Sequence, residues 1–569
     1  MCGNRKRIIA SICIAVLLCS VALGLGLYFG LRKQGAVVTN GEECAAIGRN
    51  ILERKGSAVE AAIAAMFCEG VVCSQSMGLG GGFYMTIYER NARKVSVLNA
   101  RDWAPLAAER NMFNMDHSLS EKGGLAVAVP GELMGYWEAY QRYKSGNVEW
   151  RDLVQPSIDL CTEGYPVSAY LQKLLEKSQG DLRTSSLRNI FINNVTRRVW
   201  KVGDKIKRPQ LAKTLEMIRD NNATVLYNGK LTAQFVNDIR RIGGIISEED
   251  LKQYRVRWEE PVTAKLKNGI TMYSVLPPGS GIILGLILNI LDNFVYNDDK
   301  TKQSQRIVEA FKHAYGRKTR IGDPGFVFIE KFIEDLQREK YAYDIRRKIK
   351  DNWTSQDPLY YGAVGAFRTD HGTAHISVLA PNGDAVSVTS SINFFFGARE
   401  QSITTGIILN NGMRDFSIPG IIKPSNFPPL PNNYIEPKKR ALSSMVPSIF
   451  LDEEGDVKLV VGAAGAMKIT TATALVAMNV LWFNMTLHEA IAAPRLHHQL
   501  FHNASDMTLE YENNFPKDII EGLQAIGHKT LEETYVNATV TGILKVKGGL
   551  EAMFDFRRGG KAETFYTWP

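Results

Sequence analysis

A chain of 569 residues with 45% apolar content is long enough to bury a sizeable core and to form more than one domain. Its formal charge of +9 excludes little except a nucleic-acid partner: Arg5, Lys6, Arg7, Arg32 and Lys33 supply five of those charges at one end, and the remaining +4 comes with no basic-aromatic motif. There is no repeat and no low-complexity tract, and no CxxC, CxxH or other zinc-type spacing, so no metal and no cofactor are expected.

The first element is Ile8 to Leu31, one uncharged, mostly apolar run of 24 residues. As a helix it is long enough to cross a hydrocarbon core of about 30 Å. Arg5-Lys6-Arg7 precede it and Arg32-Lys33 follow, an excess that favours a cytoplasmic tail at 1–7 and everything after residue 31 outside the cytoplasm. A cleaved signal peptide has a shorter apolar core, about 7–15 residues, so an uncleaved signal-anchor at the plasma membrane, single-pass type II, is the expectation. Cys2, Cys13 and Cys19 lie in or beside it, and acylation of Cys2 is chemically open. Next, Ser57-Ala58-Val59-Glu60 is a capping-box pattern opening an apolar helix toward Cys68. Gly56 ends the segment that begins near Cys44, so the two elements fold back as a helical hairpin at whose open end Cys44 and Cys68 can meet. Cys73 and Cys161 have no obvious partner. Six sequons, at Asn194, Asn222, Asn352, Asn484, Asn503 and Asn537, fit an exported chain.

Gly78-Leu79-Gly80-Gly81-Gly82 precedes the strand-like Phe83 to Tyr88 rather than a helix, which excludes a nucleotide-binding loop. The strand-like Lys94 to Leu98 leads to Arg101, whose guanidinium fork can hold a carboxylate through two parallel hydrogen bonds. Asp370-His371-Gly372-Thr373-Ala374-His375 then opens a hairpin: Thr373 to Leu379 alternates, Pro381-Asn382-Gly383-Asp384 carries a turn signal, and Ala385 to Ser391 alternates again. A two-residue turn at Asn382-Gly383 sets Thr373 opposite Ile392, between the Ser391 hydroxyl and the Asn393 amide. A Gly-Thr bond there suits a chain that cuts itself. Glycine tolerates a strained backbone, and a freed Thr373 α-amine, with a pKa of about 7.7–8.0, can take the hydroxyl's proton. The Pro-rich Ser425 to Pro431 is neither helix nor central strand, and Ser443 and Ser444 follow it. Finally, Gly462-Ala463-Ala464-Gly465-Ala466 joins the strand Lys458 to Val461 to a helix starting near Ile469. Such a turn exposes N–H groups at a positive helix end, where an oxyanion can sit.

With these pieces in order, the chain resembles the gamma-glutamyltransferase (gamma-glutamyl transpeptidase) family from about Val37 to the C-terminus. The resemblance lies in Ser76 to Gly82, Asn99-Ala100-Arg101, Ala128 to Glu132 and Gly322-Asp323-Pro324, and continues in Gly372 to His375, Leu442 to Met445 and Gly462 to Gly465. It implies an α/β (α+β) N-terminal nucleophile hydrolase with an αββα sandwich, preceded by one transmembrane helix at 8–31. It also implies cleavage between Gly372 and Thr373 into an extracellular large subunit, 32–372, and a small catalytic subunit, 373–569, interleaved in one fold. A Cys44–Cys68 disulfide is implied as well; closing that loop contributes about 3–4 kcal/mol on a chain-entropy account. By the same resemblance Thr373 is the nucleophile, Ser391 its neighbour, and Gly465 and Ala466 the oxyanion donors. Arg101, Ser443 and Ser444 bind the donor's α-carboxylate under a Pro-rich lid, Asp415 serves the amine end, and Asn393 is a further substrate-binding residue.

Three departures from the family pattern involve four positions. Gly412 follows Asn410-Asn411 where Glu or Gln usually holds the α-amine, and Arg414 replaces a frequently acidic neighbour of Asp415. Losing one charge-assisted acceptor should weaken amine binding by roughly 1–3 kcal/mol, so Gly412→Glu is expected to raise kcat/KM. Ala466 stands for a usual second glycine, and alanine resists positive φ, which predicts a misshapen oxyanion hole. Ser391 for threonine keeps the hydroxyl. The expected function is a self-cleaving ectoenzyme that takes the γ-glutamyl group from glutathione or a conjugate through a threonyl acyl-enzyme and passes it to water, an amino acid or a dipeptide. A weakened or inactive member acting as a binding or decoy protein is the alternative.

Overall fold

Alternating runs become strands, and the strands stack as two antiparallel sheets. In this computed structural model, residues 33–367, 372–420, 427–501, 507–533 and 538–567 are described. In chain order the sheet strands are β1 (Lys33–Thr39), β2 (Gly82–Glu89), β3 (Lys94–Ala100), β4 (Arg257–Glu259), β5 (Val262–Lys265), β6 (Thr271–Ser274), β7 (Ala374–Leu379), β8 (Ala385–Ser391), β9 (Ser448–Leu451), β10 (Val457–Ala464), β11 (Thr539–Val546), β12 (Gly549–Met553) and β13 (Lys561–Thr567). The first sheet runs β13-β1-β7-β8-β2-β3-β4 and the second β12-β11-β10-β9-β6-β5. Strands from both sides of the Gly372–Thr373 bond contribute to each sheet, interleaved in the first and as two adjacent blocks in the second.

Side-chain parity assigns the layers. On β7, Ala374, Ile376 and Val378 join an apolar cluster with helices α1 (Cys44–Glu53) and α2 (Ala58–Val72). On the second sheet, Phe450, Leu459 and Val461 pack against α3 (Gly281–Leu291) and α5 (Lys468–Leu481); α4 (Lys300–Lys318) lies beside α3. Each fully buried Leu, Ile or Phe contributes about 1.5–3 kcal/mol, so both outer faces need their helices, and the order helix, sheet, sheet, helix follows. Between the sheets one end is apolar, with Val38, Tyr88, Leu379, Ile449 and Val460. The other end is hydrogen-bonded: Ser387 Oγ donates to the Val461 carbonyl at 3.1 Å, and Thr541 Oγ1 to the His375 carbonyl at 3.3 Å.

His375 belongs to this inner layer. Its Nδ1 lies 2.7 Å from Thr389 Oγ1 and its ring rests on Gly462 of β10, where a Cβ would come within 2.2 Å of the ring carbon Cε1. Burial pushes its pKa down to about 3, so the ring is neutral at physiological pH.

The hairpin departs from the two-residue turn. Ala385 pairs with Leu379, Ala380 N donates to Asp384 O at 2.8 Å, and Gly383 N donates to Ala380 O at 2.9 Å. Gly383 takes φ 91°, so Pro381-Asn382-Gly383 is a three-residue loop whose last residue needs the left-handed conformation. Each partner shifts by one, and extending the ladder sets Thr373 opposite Ser391 rather than Ile392.

The capping box at α2 forms: Glu60 N donates to Ser57 Oγ at 3.1 Å and Ser57 N to Glu60 Oε2 at 2.7 Å. Cys44 and Cys68 are disulfide-bonded with Cα atoms 5.4 Å apart, and Cys73 and Cys161 are buried free thiols. Asn194, Asn352 and Asn484 are exposed and Asn222 is half-buried. The 8–31 segment, Cys2, Cys13, Cys19, Asn503 and Asn537 lie outside the described residues; among those described, no helix is long and apolar enough to cross a membrane.

Gly462→Ala should force the His375 ring off β10 and destabilise the protein by about 1–3 kcal/mol. Thermal unfolding checks this, and an unchanged Tm would mean that the sheets can separate at no cost.

Candidate active site

Where β7 begins, the backbone is strained. Gly372 has φ 129° and Thr373 φ 145°, a region essentially reserved for glycine. A Cβ at 372 would sit 2.1 Å from the Asn393 carbonyl oxygen, so only glycine fits. The Thr373 carbonyl accepts a 2.6 Å hydrogen bond from Arg558 Nη1, and Arg558 Nη2 donates to Ser76 Oγ at 3.2 Å. Across the ladder, Ser391 Oγ accepts from Asn393 N at 2.8 Å. Asn393, itself at φ 75°, donates through Nδ2 to the Asn411 carbonyl at 2.9 Å, and Phe394 N donates to Asn411 Oδ1 at 2.9 Å. Asn410 Oδ1 accepts from Ala128 N at 3.0 Å and Gly412 N at 2.8 Å. The junction is thereby laced to the 410–415 turn.

That turn faces a cleft lined by Lys318, Asp415, Leu430, Asn433, Ser443 and Ser444. Arg101, buried at the end of β3, places Nη2 3.3 Å from Asp415 Oδ2 and 3.4 Å from Asp102 Oδ1. Ser443 Oγ accepts from Met445 N at 3.2 Å, and Ser444 Oγ accepts from Lys318 Nζ at 2.6 Å. Leu430 of the Pro-rich stretch and Asn433 just after it close one side. Asn433 Nδ2 donates to the Asp415 carbonyl at 2.7 Å and Asn433 Oδ1 accepts from Leu442 N at 3.0 Å. Residues 421–426 of this region are outside those described.

Gly465 at φ 132° and Ala466 at φ 58° turn the chain from β10 into α5. Their carbonyls accept from Lys468 N and Ile469 N, both at 3.1 Å, while their own N–H groups have no partner among the described residues. Alanine therefore takes the left-handed conformation instead of distorting the turn, at a cost of about 1–2 kcal/mol. Met467, the next residue, brings its sulfur to 3.3 Å from Ser444 Oγ, so this turn meets the cleft.

The sequence model of the family described as Gamma-glutamyltranspeptidase matches residues 44–565. The chain belongs to the gamma-glutamyltranspeptidase family.

It is an enzyme of gamma-glutamyl transfer or hydrolysis. Among curated relatives it is 42% identical over 545 residues to scoloptoxin SSD14 of Scolopendra dehaani (94% of this chain, 93% of that one). It is 34% identical to human glutathione hydrolase 5 proenzyme, over 93% of this chain and 92% of that one. Among solved structures, Helicobacter pylori gamma-glutamyltranspeptidase is 31% identical with a TM-score of 0.52, over 55% of this chain and 90% of that chain. A Bacillus halodurans cephalosporin acylase, at 23% identity, shares the fold with a TM-score of 0.81 over 94% of this chain and 96% of that one.

Thr373, Ser391 and Asn393 meet at the junction, Asp415, Ser443 and Ser444 line the cleft, Arg101 pairs with Asp415, and the Gly465–Ala466 turn reaches the cleft through Met467. Arg414, expected to repel an amine, is instead paired with Glu121 Oε1 at 3.1 Å and lies over the Phe394 ring. Gly412→Glu, expected to restore activity, meets an obstacle: a Cβ at 412 would lie 1.7 Å from Asp102 Oδ2. Sequence reasoning missed Asp102, Lys318 and Arg558, which become site residues only through long-range contacts. It also gave no role to Glu132, which accepts from Ser390 Oγ at 2.8 and 2.9 Å and from Tyr136 OH at 2.6 Å. An acid on an apolar helix face with Tyr four residues on is the only local signal.

Burial pushes Glu132 up to about 8. The folded protein then keeps a proton that the unfolded chain releases near the ordinary glutamate value, so Glu132's contribution is full below that value and is lost as pH rises toward 8. Glu132→Gln, neutral at every pH, should flatten the fall of unfolding free energy between pH 5 and 8.5 by ~1 kcal/mol or more. Parallel Tm profiles for variant and wild type would contradict a protonated Glu132.

Proposed function

We propose that this family member is a self-cleaving, membrane-anchored ectoenzyme that takes the γ-glutamyl group from glutathione or its conjugates with Thr373 as nucleophile. The observation that carries the reading is the Gly372–Thr373 junction, where φ 129° is followed by φ 145° at a threonine whose carbonyl is gripped by Arg558. In self-cleavage, Thr373 Oγ1 attacks the Gly372 carbonyl carbon and the peptide C–N bond breaks as that nitrogen takes a proton. Water then hydrolyses the resulting ester, leaving a Gly372 carboxylate and a free Thr373 α-amine. Relief of the backbone strain favours the forward direction.

In turnover, the new α-amine accepts the Oγ1 proton as the oxygen attacks the γ-glutamyl carbonyl. The uncommitted N–H groups of Gly465 and Ala466 receive the developing oxyanion. The amine passes its proton to the leaving nitrogen, and the ester on Thr373 is released by water or by the amino group of an acceptor amino acid or dipeptide. Arg101, Ser443 and Ser444 hold the donor's α-carboxylate, with Lys318 adding positive charge through Ser444. Asp415 and Asn393 serve its α-amine. His375, neutral and packed in the inner layer, takes no part as a base. The 8–31 segment supplies the type II anchor, with residues after 31 extracellular. The exposed sequons at Asn194, Asn352 and Asn484 and the Cys44–Cys68 disulfide support an oxidising, glycosylating compartment.

A denaturing gel of wild type should show chains of 372 and 197 residues before glycans, and Thr373→Ala one chain of 569. Glutamate release from glutathione should fall by about 10³-fold or more in that variant. Intact wild-type chain after prolonged incubation sinks the self-cleavage reading; normal release from Thr373→Ala sinks the nucleophile. Arg101→Lys keeps the charge but loses the fork, and should raise KM by about 10-fold or more.

A further inference from the structure

A second cavity, of about 370 Å³, shares no lining residue with the cleft around Asp415 and Ser444. Its volume falls in the range of small-molecule sites, about 300–1,000 Å³. Glu42 and Val202 are exposed at its rim, and Asn40, Gln75 and Arg558 are buried in its wall. That wall holds hydrogen-bonding groups that the described residues leave unused. Arg558, 7% exposed, commits Nη1 to the Thr373 carbonyl and Nη2 to Ser76 Oγ, while its Nε has no partner. Asn40 Oδ1 accepts from His375 N at 2.9 Å, which fixes the orientation of the amide and leaves Nδ2 a buried donor without an acceptor. Gln75 Oε1 is a buried acceptor without a donor.

Arg558 forms no ion pair among the described residues. Glu69, which acts on it through space, is held by backbone: its Oε1 accepts from Asn40 N and from Gly41 N at 2.9 Å. A buried guanidinium with a free N–H beside a second free donor is completed by an oxyanion. Toward the rim the charge reverses. Glu42 and Glu43 form no ion pair among the described residues, and burial, with Glu42 and Glu69 nearby, pushes the Glu43 carboxyl up from its ordinary value. A cation placed there relieves that repulsion.

We propose that this cavity is a second ligand site, taking a zwitterion of amino-acid or dipeptide size with its carboxylate on Arg558 Nε and Asn40 Nδ2 and its ammonium group toward Glu42 and Glu43. Gln75 Oε1 is the acceptor for a peptide N–H between the two ends. Arg558 also holds the Thr373 carbonyl, so occupant and junction share one guanidinium. Binding here is separate from the donor cleft and does not require Thr373 to act as a nucleophile.

Calorimetry on the full-length protein tests this with three probes: glycylglycine, N-acetylglycylglycine, which lacks the ammonium, and glycylglycinamide, which lacks the carboxylate. Glycylglycine should bind, and each blocked analogue should bind about 10-fold or more weakly. Asn40→Asp keeps the acceptor for His375 N but puts an oxygen where the Nδ2 donor was, and should weaken glycylglycine by about 10-fold or more. Glu42→Gln with Glu43→Gln, at the rim and clear of the junction, should abolish the preference for glycylglycine over its N-acetyl form. Arg101→Lys, in the donor cleft, should leave all three affinities unchanged. Absence of glycylglycine binding to wild type overturns the proposal, as does binding that Arg101→Lys weakens and the cavity variants do not. Should Asn40→Asp fail to fold, the rim variant decides: an undiminished preference for the free ammonium overturns the zwitterion site.

Discussion

The His375 ring lying on Gly462 is the contact on which the rest of the site depends. It sets how closely β7 approaches β10, and those two strands lead to the two halves of the chemistry. Thr373 lies two residues before His375, and the Gly465–Ala466 turn three residues after Gly462. Rigid strands on either side of one ring-on-backbone contact hold a nucleophile and a pair of N–H donors in fixed relation. Burial keeps the ring neutral, so it fills space and accepts or donates hydrogen bonds without adding a charge beside the reacting atoms.

Strain is concentrated around this contact. Thr373, Asn393 and Ala466 all take positive φ in non-glycine residues, as do Phe396 and Arg399 just beyond. Single outliers cost of order 1–3 kcal/mol each and persist only where the surroundings over-determine them. Here the over-determination is a hydrogen-bond lattice through Asn410 and Asn411, which joins Gly80, Ala128, Asn393 and Phe394 to the 410–415 turn. The lattice spans three distant chain segments, so the strained junction forms only when the large and small parts of the chain have packed together.

Much of this was legible in the residues themselves. Period-two alternation marked β7 and β8, strand-like runs marked β2, β3 and β10, and the Ser57–Glu60 pair marked the start of α2, because these signals are local. The hairpin register slipped by one for a local reason too: Pro381 suits the first turn position and Gly383 the left-handed third, which lengthens the loop past the Asn-Gly pair. What could not be read depends on separation in sequence. Arg558 meets a carbonyl 185 residues away, and Lys318 meets Ser444 across 126. Neither carries a motif, and each would pass for a surface cation until the fold buries it.

The departures at 412 and 414 show why a motif compared position by position misleads about chemistry. Taken one at a time, Gly412 removes an acceptor and Arg414 adds a repelling charge, and both point to a failing site. In three dimensions Arg414 is neutralised by Glu121 and Asp102 occupies the room that glycine leaves. Geometry then constrains the pair jointly. A carboxylate at 102 with this rotamer forbids any side chain at 412, and a side chain at 412 would expel the carboxylate toward Arg101. Glycine at 412 is therefore better understood as the steric partner of the Asp102 carboxylate than as a bare deletion.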